Sequence, residues 1–173
     1  MTDHLETDED IANELMLTTL AGYGLFMLNW SLLETVIEAA IMKRLELHPL
    51  EGAIVTSSLG FQARASILKS FLALDTSEQS KAAIKVITAA TDDANRNTII
   101  HGQVFLEGES LTFVFRKTGH TFTAKKITLD SDTMREKASR LRDHVVKLQS
   151  LLSVSDDDLH EFGRIGMIAA SKA

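Results

Sequence analysis

Within the string Asn95-Arg96-Asn97-Thr98-Ile99-Ile100-His101-Gly102, a guanidinium, a carboxamide and an imidazole lie close together in the chain. An imidazole near its ordinary pKa takes or gives a proton at neutral pH. A guanidinium holds a phosphate or carboxylate with two parallel hydrogen bonds. On a helix, residues 97 and 101 are four apart and share a face, whereas 96 and 101 differ by about 140°. Two arrangements would bring them together: uncoiling at Gly102, or two copies of the chain meeting across a two-fold axis.

No other feature of the sequence offers chemistry of comparable specificity. There is no Cys, which removes disulfides, thiolate metal sites and cysteine nucleophiles. Gly-rich phosphate loops, H-E-x-x-H, G-x-S-x-G and calcium-loop spacings are absent. His4, His48 and His160 sit in polar or terminal contexts and read as exposed, His120 falls in a turn, and His144 falls on a charged helix face. No metal and no cofactor are expected.

The elements that must position the motif are mostly helical. One Pro and nine Gly in 173 residues leave few helix breaks. Apolar or small residues recur at helical spacing through Leu15, Thr19, Gly22, Phe26, Trp30, Leu33, Ile37, Ile41 and Leu45, giving one long helix or two joined near Gly22 and Gly24. His48 to Gly60 reads as a connection. A second helix carries Phe61, Ala65, Leu68 and Phe71. A third opens at a Thr76/Gln79 capping box and stops near Gly102, with the motif at its end.

Beyond Gly102 the period falls to two in Val104–Leu106, Leu111–Phe115 and Thr121–Ile127, with turns at Gly108 and Gly119. A last long helix is capped from Asp130–Thr133 and carries Met134, Ala138, Leu141, Val145, Leu148 and Leu152. The predicted fold is all-α: a four- to five-helix bundle with a small antiparallel hairpin or meander inserted before the last long helix. One domain spans 1–173, with its core at about 11–152 and terminal extensions at 1–10 and 154–173.

The formal net charge of −6 argues against generic nucleic-acid binding. Yet Arg116–Lys147 holds nine Lys or Arg against four Asp or Glu, a local excess of cations. The run Leu15–Leu33 carries no charge, but Thr18, Thr19, Gly22, Gly24, Asn29 and Ser31 dilute it and no basic cluster flanks it. It reads as a buried helix rather than a membrane span. The acidic, polar segment Met1–Glu14 has no signal-peptide pattern, so the expected compartment is the cytoplasm.

The R-N-x-x-x-H-G string at a helix end resembles the signature of the HEPN family, in which an Arg, commonly followed by a polar residue, precedes a His by a few positions. The long first helix with Trp30-Ser31-Leu32-Leu33-Glu34, the strands and the closing helix are similar too. The resemblance implies a helical bundle that dimerises and places a composite site at the dimer interface. Active members are metal-independent endoribonucleases of toxin or defence type, leaving 2′,3′-cyclic phosphate and 5′-hydroxyl ends. Here His101 would deprotonate a 2′-hydroxyl, Arg96 would hold the phosphate, and Asn97 would orient His101 or donate to the phosphate.

Glu34 would fix Arg96 or the imidazole tautomer, and Arg116, Lys117, Lys125 and Lys126 would contact the RNA backbone. Phe105, Phe113, Phe115 and Phe122 lie in the strands, where alternation turns at least half inward. The implied partners are a second copy, an RNA substrate and an antitoxin such as a small nucleotidyltransferase. Other readings of the same residues stay open. Arg96, Asn97 and His101 would also serve to cap a helix C-terminus, in a non-catalytic, homodimeric interaction module, and Leu15–Leu33 would suit a membrane-associated helix.

Overall fold

Helix α1 (Asp8–Leu45) takes up the whole first apolar run without a break at Gly22 or Gly24. The computed structural model describes residues 8–117 and 123–170, and the side chains within 13–95, 98–116 and 123–164. Along the chain follow α2 (Pro49–Ser57), α3 (Phe61–Ala73), α4 (Glu78–Asp93), α5 (Arg96–His101), β1 (Gln103–Glu107), β2 (Ser110–Lys117), β3 (Thr123–Leu129), α6 (Ser131–Leu152) and α7 (Asp156–Ala170). The fold is mostly α, with a small antiparallel sheet inserted before the last long helix.

Two compact units divide the chain, one of Met1–Asn29 and Thr91–Leu141, the other of Trp30–Ala90 and Arg142–Ala173. In the first, the strands form a β1-β2-β3 meander, with Val104 opposite Phe113 and Phe113 opposite Ile127. The β1–β2 turn has two residues, and Gly108 takes the left-handed φ of 61° that a tight hairpin requires. Leu111, Phe113 and Leu129 are buried, and the Tyr23 ring packs on Phe113 at 5.6 Å.

Polar residues that dilute the apolar run of α1 tie it into this unit. The Asn29 amide donates to the Ala138 carbonyl at 2.9 Å. The Thr19 hydroxyl lies 3.0 Å from the Glu109 carbonyl oxygen as well as 2.9 Å from that of Leu15. Gly22 faces α6, where an added Cβ would come within 3.1 Å of the Met134 side chain. By length and composition α1 from Asn13 to Leu45 could cross a membrane, yet 61% of its most apolar window is buried within the protein.

The second unit packs Leu33, Ile37, Ile41, Phe61, Leu68, Ile87 and Leu148. Trp30 is buried against Phe61, ring centroids 4.5 Å apart. Residues 48–60, expected to be a connection, contain helix α2. His48 Nδ1 accepts from the Leu50 N–H, the Glu51 carboxylate accepts from the His48 N–H, and Pro49 starts the helix. Pro at a first helical position costs nothing, because its missing N–H would have been unpaired there.

Helix α4 is capped by Ser77, whose Oγ accepts from the Ser80 N–H at 3.1 Å, rather than by Thr76 with Gln79. The tail beyond 154, read as an extension, forms α7, which packs with α2. Its start is a reciprocal cap: the Asp158 carboxylate accepts from the Ser155 N–H and Ser155 Oγ accepts from the Asp158 N–H.

Three aspartates at helix starts share one consequence. A hydrogen bond from Ser80 to Asp75, from Thr133 to Asp130 and from Lys43 to Asp158 is the largest influence holding each carboxyl below the ordinary aspartate value of 3.8. A depressed folded-state pKa adds stability that is present above the unfolded value and lost as pH falls through the folded one. The melting temperature should therefore hold steady above that value and fall below it. Replacing all three with Asn should flatten this acid limb in a thermal scan from pH 7 to pH 2. An unchanged limb would assign acid sensitivity elsewhere.

Candidate functional site

The motif stands on its own short helix. The sequence places it at the end of a third helix running to about Gly102, but α4 stops at Asp93 and the chain turns at Asn95, with φ 46° and ψ 36°, before α5 begins at Arg96. Asparagine tolerates this left-handed conformation better than most residues. Lys137 Nζ donates to the Asp93 carbonyl at 2.9 Å, so a cation meets the freed end of α4. Burial is the main cause of a lowered pKa at Lys137. On the far side of the turn, the Thr98 and Ile99 N–H groups donate to the Asn95 carbonyl at 2.9 and 3.1 Å.

Helix α5 packs on β2 and β3, burying Thr98 and Ile99. His101 is its last residue and its side chain is exposed. The backbone of Arg96 and Asn97 lies in α5, while their side chains fall outside the described residues. At Gly102 the chain leaves the helix with extended backbone, and an added Cβ would sit 2.2 Å from the Thr98 carbonyl oxygen. Backbone cannot swing aside as a flexible side chain can. Gly102→Ala should destabilise the protein by about 1–3 kcal/mol, read as a lower urea midpoint at unchanged slope. A midpoint equal to wild type would show that the α5–β1 junction has room to spare.

The four cations assigned to the RNA backbone do not form one group. Neighbouring strand residues point to opposite faces, and the register sets Phe115 opposite Lys125 and Val114 opposite Lys126. Lys125 Nζ donates to the Asn95 side-chain oxygen at 3.2 Å, placing it at the start of the motif helix. Lys126 pairs with Glu107 at 3.1 Å on the other face, the face to which alternation also assigns Arg116, whose side chain is exposed. The Lys117 side chain is outside the described residues. Among the strand phenylalanines, Phe113 is fully buried, Phe115 is partly buried and Phe105 is 45% exposed on the face of Lys126, whereas Phe122 is outside the described residues.

Glu34 accepts hydrogen bonds from two groups of its own unit. Its Oε1 accepts from the Trp30 indole N–H at 2.7 Å and its Oε2 from the Arg64 guanidinium at 3.1 Å, all within the second unit. Arg64 also pairs with Glu38. The helical spacing of Glu34, Glu38 and Trp30 was visible in the sequence, but the Arg64 partner was not.

No family model, no curated protein and no solved structure matches this chain. Function must be read from the site itself. Among the described residues no group of three or more His, Asp or Glu is placed to hold a metal ion. A groove of about 320 Å³ lies among Lys43, Arg44, Phe71, Asp75, Gln79 and Leu151, and none of the expected site residues lines it. The α5 site is thus a surface site: an exposed imidazole at a helix end, two polar positions on the same helix, and Lys125 at the helix start.

Proposed function

We propose that the chain is a metal-independent endoribonuclease of the HEPN kind, acting as a homodimer on single-stranded RNA in the cytoplasm. The observation that carries this reading is the exposed His101 at the end of a helix that also begins with Arg96 and Asn97. Helix α5 is helical from Arg96 through His101, and the chain straightens only at Gly102. Uncoiling therefore comes too late to bring positions 96 and 101, about 140° apart, onto one face. Two copies facing each other across a two-fold axis would supply both groups to one phosphate.

In such a site the His101 imidazole takes the proton of the 2′-hydroxyl, and the 2′-oxygen attacks the adjacent phosphorus. The bond to the 5′-oxygen breaks, and that oxygen takes up a proton from solvent, to which the imidazolium returns the one it removed. Arg96 stabilises the charge that builds on the phosphate oxygens. Asn97, one helical turn before His101, orients the ring or donates to the phosphate. Lys125 contributes a backbone contact. As a toxin-like enzyme it would be held in check by an antitoxin, for which the HEPN likeness points to a small nucleotidyltransferase.

The test is incubation of purified protein with end-labelled single-stranded RNA in excess chelator. Fragments ending in 2′,3′-cyclic phosphate and 5′-hydroxyl are the expected products. A dimer that cleaves no RNA over a broad panel would replace the enzyme with a non-catalytic pairing module.

A further inference from the structure

The sheet of the first unit has two edges, and they are finished differently. β3 carries Lys125 and Lys126 in mid-strand, and Lys125 reaches the Asn95 side chain at the start of α5. β1 has neither charge nor proline between Gln103 and Glu107, and its register with β2 runs from Gln103 opposite Val114 to Glu107 opposite Ser110 without a bulge. All of its residues are exposed. Folded proteins ordinarily blunt a strand edge with charge, proline, a bulge or a covering element, because the unpaired N–H and C=O groups there will pair with another extended chain.

The hairpin fixes which of these groups are free. Across a two-residue turn the flanking residues, here Glu107 and Ser110, exchange both hydrogen bonds, and the pattern alternates from there. Gln103 and Phe105 therefore bond to β2, whereas the N–H and C=O of Val104 and Leu106 point away from it. Among the described residues no other backbone group meets them. The same two residues end the inner row of side chains: Leu106 lies opposite buried Leu111 and Val104 opposite buried Phe113, yet they are 50% and 45% exposed. Backbone pairing and core both stop one strand short.

We propose that β1 accepts, as a fourth strand, an extended segment of another protein, with apolar residues opposite Val104 and Leu106 and polar residues between them. The segment runs antiparallel, the more stable of the two directions. At the turn, exposed Glu109 has no cation beside it among the described residues, so a Lys or Arg at the N-terminal end of the segment completes the match. An edge of five residues spans about 17 Å. Paired with the same edge of a second copy, it falls well short of the ~800 Å² that each side of a stable standard interface contributes. A flexible segment, free to follow the twist of β1, is the better fit: main-chain bonds give it affinity and alternate side chains give it specificity. The pairing stands apart from the nuclease reading, since it is measured without RNA.

The probe is a fluorescent peptide, Lys-Thr-Val-Thr-Val-Thr, titrated with the full chain and followed by anisotropy. Saturable binding below about 1 mM is expected. In the antiparallel register the valine nitrogens face β1, so N-methylation of both valines should weaken binding at least about tenfold, while N-methylation of the threonines should not. Leu106→Pro removes an outward N–H and leaves the β1–β2 ladder whole, so it should weaken binding as much with helicity unchanged. Val104→Lys, a charge on the same edge, substitutes for that variant should it misfold. No saturable binding, equal affinity for the two methylated peptides, or variants that bind as tightly as wild type would each overturn the inference. So would a drop in the mass of the free chain on Leu106→Pro, which would give the edge to a second copy.

Discussion

His101→Ala should lower the rate of RNA cleavage by about 10²–10⁴-fold, the usual share of a positioned general base. His101 is exposed at the last position of α5, and the inward contacts of that helix are made by Thr98 and Ile99. Thermal midpoint and oligomeric mass should therefore match wild type. Arg96 and Asn97 remain, so KM should change far less than kcat. Loss of activity with a lowered midpoint would mean a structural role for the imidazole, and retained activity would remove it from the chemistry.

The largest effect on stability is expected at Arg64. Its guanidinium, 12% exposed, pairs with both Glu34 and Glu38, and Glu38 is a buried residue. Removing it takes a cation away from two carboxylates a helical turn apart, in a site where little water can replace it. Among the described residues the Arg64 Nε has no hydrogen-bond partner, so the site is already costly. Arg64→Met should cost about 3–5 kcal/mol by urea unfolding, a drop in Tm of roughly 10 °C. Arg64→Met with Glu38→Leu should recover much of that loss, because apolar groups of similar volume replace a buried ion pair at little cost. A single variant within about 0.5 kcal/mol of wild type would show that water reaches both carboxylates.

How much of this was legible depended on whether local pattern and long-range packing agreed. Helix α6 could be read residue by residue, since Met134, Ala138, Leu141, Val145 and Leu148 are all buried and Asp130 accepts from the Thr133 N–H. The three strands were found by period, within a few residues. Helix α2 is hard to read from sequence because its N-cap is a histidine, an uncommon choice, and because Pro49, a breaker inside a helix, starts one here. The cap of α7, Ser155 with Asp158, was present in the sequence but lay beyond the last long apolar stripe.

The motif itself was legible as a string, but its setting was not. The left-handed turn at Asn95 depends on Thr98 and Ile99 finding the sheet and on Lys137 reaching the Asp93 carbonyl, contacts made by residues far along the chain. Lys125 and Lys126 are adjacent in sequence, so alternation alone separates their faces. Deciding that Lys125 faces α5 required the register with Phe113 and Phe115. For Glu34, a carboxylate on the inner side of a helix gives no hint of which arginine it will meet.

The central claim is a composite site built from Arg96 of one copy and His101 of another. Arg96→Ala and His101→Ala, each inactive alone, should be co-expressed with different tags and the mixed dimer isolated by two successive affinity steps. The account predicts measurable cleavage of single-stranded RNA in chelator by the mixed dimer and none above background by either parent. A mixed dimer as inactive as its parents, prepared beside a fully active wild-type dimer, would contradict it.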